Sequence, residues 1–151
     1  MKILHSYKYS DSLLLIGWET LIINMNYKEL LNGVIPKEVL GNPNSLINID
    51  INDIKDLFLQ GGNISEFEII VDAIEENRMK LLVNKIKEHT KCCHAFSRAL
   101  VFFFFQEDRP LLMEELQPFS EWIESVSGEF MIKWGMAIHP SQELRAIVIL
   151  Q

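Results

Sequence analysis

The chain has 151 residues, a formal net charge of −7, 48% hydrophobic residues and 23% charged ones. That length and balance fit one folded domain with its own core and argue against disorder. The acidic excess disfavours nucleic acid and anionic membranes as partners, since both would repel it.

Met1-Lys2-Ile3-Leu4 runs at once into the polar HSYKYSDS, which does not read as a signal peptide. Apolar runs such as Leu13–Ile16 and Leu100–Phe105 are too short to span a bilayer, so a cytoplasmic protein is expected. Residues 1–10 read as a short arm or edge strand. From Ser12 to Met25, Leu14, Leu15, Trp18, Leu21, Ile22 and Met25 fall at helical spacing, with Ser10 or Asp11 as cap. The apolar runs on either side of Gly17 suit a buried β-hairpin equally well. Tyr27–Asn32 is a short helix candidate. Gly33–Asn44, with Pro36, Gly41 and Pro43, is the clearest loop.

Ser45–Phe58 is the most informative stretch. Asn48, Asp50 and Asp53 form Asn-x-Asp-x-x-Asp inside an apolar frame of Leu46, Ile47, Ile49, Ile51, Ile54 and Leu57. A strand-like approach followed by an amphipathic start puts both acids at a loop-to-helix junction, where first-turn N–H groups and the helix dipole tolerate anions. Such a pair positions a water or holds a divalent ion, or else one acid simply caps the helix.

Downstream, Ser65-Glu66-Phe67-Glu68 opens an alternating strand over Ile64–Val71, as expected of a sheet with one wet face. Glu76-Asn77-Arg78 leads into a helix, Arg78–Glu88, with Met79, Leu82, Val83 and Ile86 on one side and lysines on the other. His89, Cys92, Cys93 and His94 are four ligand-type residues within six positions, a weak zinc candidate because vicinal cysteines do not easily face one tetrahedral ion. Reduced thiols packed before a buried strand are the simpler reading. Ala99–Gln106 is apolar on both faces and belongs at the sheet centre, because four phenylalanines on a free edge would aggregate. A helix over Leu111–Val126 offers Leu112, Leu116, Phe119, Trp122, Ile123 and Val126 to the sheet, with Glu114-Glu115 on its exposed side. Glu107-Asp108-Arg109 reads as a solvated turn. The strands Phe130–His139 and Leu144–Leu150 close the chain.

Four of these features occur together in one known family. The run Leu46–Lys55, the Glu-Asn-Arg helix start, the His139-Pro140 turn and Glu143-Leu144-Arg145 at the last strand, in this order, resemble the C-terminal domain of the FtsZ/tubulin superfamily, FtsZ more than tubulin. The likeness covers residues 45–151. It implies an α+β fold, a four-stranded mixed sheet with both long helices on one face, closed by a hairpin. Residues 1–44 would be an N-terminal extension, with the helical reading of 12–25 matching a shortened remnant of the family's central helix.

In FtsZ and tubulin filaments the acidic loop of one subunit completes the GTPase site of the next. The resemblance therefore implies that Asp50 and Asp53 help position the attacking water and that Asn48 helps hold the loop. The family's glycine-rich phosphate loop has no counterpart: residues 1–44 carry only the scattered Gly17, Gly33 and Gly41. The expectation is a non-enzyme with no cofactor and no GTP pocket, able at most to supply a half-site in trans. Its expected role is to regulate or cap an FtsZ-like filament in cell division. The alternative is a stand-alone protein- or small-molecule-binding domain that keeps only the fold. The apolar surface left by the missing half would be covered by Leu14, Trp18, Leu21 and Met25, or by a second copy in a homodimer.

Overall fold

A computed structural model describes residues 23–34, 38–91, 95–126 and 128–151. The described residues form a six-stranded mixed sheet in the order β1-β3-β6-β4-β5-β2. Its strands are β1 (Ile23–Met25), β2 (Ser45–Ile47), β3 (Ile64–Asp72), β4 (Arg98–Phe105), β5 (Met131–Ile138) and β6 (Glu143–Leu150). The inner four are those expected from sequence. The sheet is nevertheless six-stranded rather than four-stranded, because β1 and β2 extend it at either edge. Three-residue strands are too short to show a period of two, so the strand-like approach to the acidic loop and the hairpin alternative before Met25 were not counted into the sheet.

The closing hairpin is also corrected. β4 lies between β5 and β6, pairing in parallel with β5 and antiparallel with β6. The turn at His139 therefore carries the chain across the end of β4, where the His139 N–H donates to the Phe105 carbonyl at 2.8 Å.

β4 is central, as its composition requires. Ala99, Val101, Phe103 and Phe105 point to one core, and Leu100, Phe102 and Phe104 to the other. The first core is closed by α3 (Arg78–Lys91) and α4 (Gln117–Ser125), so the two long helices do share a face. Phe103 meets Phe119 edge-on at 4.9 Å, and Trp122 and Trp134 extend the aromatic cluster. The α4 segment begins as a 3-10 turn, Met113–Leu116, before Pro118 in the first α-turn. As a result Leu112 is exposed and Leu111 is buried in its place.

Arg78 locks the ends of these helices together. It is 3% exposed, and its guanidinium donates to Glu115 Oε1 and Oε2 at 2.7 and 2.8 Å and to the carbonyls of Arg109 and Pro110 at 3.1 and 2.9 Å. Glu115 is thus the partly buried partner of a buried arginine rather than part of a solvated helix side. Arg78 holds its carboxyl below the ordinary range.

The second face is covered by shorter elements. These are α1 (Tyr27–Glu29), its π-helical continuation Leu30–Val34, the turn around Val39, and α2 (Ile51–Leu57). The expected short helix at 27–32 is therefore present. Of the segment 12–25, residues 12–22 lie outside the described residues, while 23–25 form β1 and not a helix. Met25 is buried in the second core, and the covering role assigned to Leu14, Trp18 and Leu21 lies outside the described residues. The β3 alternation does not mark a wet face. Glu66 is buried, and Glu68 is only partly exposed beside Arg145, which lies 4.4 Å over the Phe104 ring.

Candidate functional site

β2 delivers the acidic loop to one edge of the sheet. It pairs antiparallel with β5, and the register slips between Ser45 and Ile47. Gly135 makes this approach feasible. A Cβ there would sit 2.6 Å from the Ile47 carbonyl oxygen and 2.6 Å from the Phe102 ring, closer than real contacts allow. Beyond β2, Ile49 and Ile54 are buried and pull the loop inward, while Asn48 and Asp50 remain exposed.

Asp50 is the N-cap of α2. Its Oδ1 accepts from the Asn52 and Asp53 N–H groups at 2.7 and 2.9 Å. Asp53 reciprocates, its Oδ2 accepting from the Asp50 N–H at 2.9 Å to complete a capping box. The other Asp53 oxygen accepts from Lys133 Nζ on β5 at 2.5 Å. That bond, with the Asp50 N–H, holds the Asp53 carboxyl below its ordinary value. Asp53 is therefore a committed anion, suited to electrostatic positioning rather than to taking up a proton. The capping alternative describes the geometry found. It also fixes the loop, since a reciprocal cap anchored on a neighbouring strand presents Asn48 and Asp50 in one arrangement.

The structure thus brings Asn48, Asp50 and Asp53 together in one exposed loop, and adds Lys133, which sequence reasoning missed. A partner eighty positions away on another element leaves no local signal. Of the four zinc candidates, Cys92, Cys93 and His94 lie outside the described residues. His89 lies in the last turn of α3, with its ring 5.3 Å from that of Phe67. Among the described residues no group of three His, Cys, Asp or Glu side chains is arranged to hold a metal. No helix among them is long and apolar enough to cross a membrane. An open cleft of about 720 Å³ lies beyond the ends of β4 and β5, lined by Asn44, Gln106, Glu107, Asp108, Ile138, His139 and Pro140.

No family model matches the chain. No curated protein matches it either. Among solved structures it is similar to a point mutant of FtsZ from M. jannaschii, with a TM-score of 0.60 at 22% identity. The fold is FtsZ-like. The match covers 82% of this chain, more than residues 45–151 alone make up, and 38% of the FtsZ chain. The chain therefore spans well under half the length of the FtsZ it resembles.

Proposed function

We propose that this chain is a non-catalytic FtsZ-like domain that binds an FtsZ-type filament through the Asn48–Asp53 loop and limits its growth in cell division. The observation that supports this reading is the loop itself, exposed and fixed by a reciprocal cap and Lys133 on an FtsZ-like scaffold. The 151 residues hold no glycine-rich run to cradle phosphates. Such a domain offers one longitudinal contact without a nucleotide pocket to continue the chain. Bound at a filament end, it stops addition; bound over a neighbour's nucleotide, Asp50 and Asp53 supply a half-site in trans.

Titration into a polymerising FtsZ-type GTPase from the same source tests this by sedimentation and phosphate release. Polymer mass should fall at ratios well below one to one. No change in either readout at large excess would favour the alternative of a binding domain that keeps only the fold. Isothermal calorimetry with GTP alone should give no saturable heat, and a micromolar isotherm would contradict the proposal.

A further inference from the structure

Glu66 is a charged residue placed in an apolar seam. It is 8% exposed, and among the described residues its Oε2 has no hydrogen-bond partner. Across the β1–β3 edge its register partner is Ile23, and the next pair on the same face is Met25 with Ile64, both in the second core. Across the other edge it faces Ile149 of β6, from the same core. Residues directly opposite in an antiparallel pair share a face, so Glu66 lies in the layer that joins β1 to the sheet.

Among the described residues β1 and this part of β6 contribute no charge to its surroundings. Among the described residues the charge acting on it is that of Glu68, two positions along β3. Glu68 is itself paired with Arg145 of β6, at 2.6 Å, and Arg145 also pairs with Glu38. The cation of this cluster is thus already shared between two other carboxylates.

We infer that Glu66 is a pH-sensitive latch on the segment Ile23–Val34, which lies closed on the second face when the carboxyl is protonated and loosens when it ionises. A buried carboxylate with no counter-charge is costly unless it reaches water. The element closing over it is a three-residue strand with few backbone bonds to oppose that move. Burial first, and the Glu68 charge second, push the Glu66 carboxyl from 4.5 up to about 7. The closed form therefore holds a proton that the open form releases. Closure is strongest below about pH 4.5, weakens by at most about tenfold per pH unit as pH rises to about 7, and then levels off.

Hydrogen exchange of the full chain, read by mass spectrometry from pH 4.5 to 8.5 and corrected for intrinsic rates, tests the latch. Protection of peptides within residues 23–34 should fall up to pH 7 and flatten above it, while a reference peptide within β4 shows no such step. In Glu66→Gln the step should disappear. Unchanged protection in the wild type, or the same step surviving in Glu66→Gln, would overturn the inference. Should that variant fail to fold, a carbon-13 titration of the wild-type Glu66 carboxyl decides: a midpoint near 7 is expected, and one near 4.5 contradicts the latch.

Discussion

Beneath α3 and α4, the sheet meets two amphipathic helices, a cluster of edge-on and tilted aromatics, and one arginine satisfied by four bonds. On the other face the same strands meet a seven-residue helix, a three-residue helix with its continuation, and a cluster of three carboxylates sharing Arg145 or standing unpaired. Long amphipathic helices bury a continuous apolar stripe and close a core by themselves. Short elements cannot, so the second face depends on what is laid over it and encloses polar groups such as Glu66 and Arg145. The first face is thus built as scaffold, and the second carries the acidic loop and the Glu66 seam.

That contrast is sharpest in β4, whose neighbouring phenylalanines point to opposite cores. Phe103→Ala should cost about 3–5 kcal/mol of global stability in urea unfolding, because its cavity opens among packed rings that relax little. A cost below about 1 kcal/mol would show that the first face is not the scaffold. Arg78→Ala should come close behind, at about 3–5 kcal/mol, since it strands Glu115 and two carbonyls in a largely buried site. A well-folded Arg78→Ala with unchanged stability would break the account of how α3 and α4 are joined.

Gly135→Ala should cost about 1–3 kcal/mol, because the methyl group meets both the Ile47 carbonyl and the Phe102 ring. Its loss of exchange protection should centre on β2 and the acidic loop. Asp50→Ala should cost about 1 kcal/mol through the lost cap. The half-exposed Asp53–Lys133 pair should contribute about 0.2–1 kcal/mol when tested by a double-mutant cycle.

The bonded carboxylates and the unbonded Glu66 carboxyl give opposite pH profiles. Asp53 and Glu115 are held below their ordinary values. The stability they add is full above roughly pH 4.5 and is lost as pH falls through their depressed values. Glu66 adds stability at low pH and loses it on the way to 7. Global unfolding and local exchange of residues 23–34, followed over the same pH range, separate the two.

Much of the first face was legible in the sequence. The period of α3 named Met79, Leu82, Val83 and Ile86, and the doubly apolar run 100–105 could only be central. The cap was legible too, because Asp50 and Asp53 stand three apart before an amphipathic run. Long-range polar pairing was not legible. Arg78 and Arg145 stood out only as members of family-like motifs, yet they clamp Glu115 and Glu68, and nothing near them in sequence announces those partners. Glu66 and Glu68 matched the alternation of a wet-faced strand, because a pattern of charges does not say what another segment lays over them. The family-like residues therefore have structural duties of their own, and the likeness alone does not make them catalytic.

The proposed filament contact turns on the loop, and the most direct measurement is binding of this chain to GTP-assembled polymer of an FtsZ-type GTPase by co-sedimentation. The wild type and an Asn48→Ala/Asp50→Lys variant should be compared at equal concentration, after exchange protection has shown the variant's sheet intact. The account predicts saturable binding by the wild type, with affinity lowered at least tenfold in the variant. Equal binding by both, or none by the wild type, would contradict it.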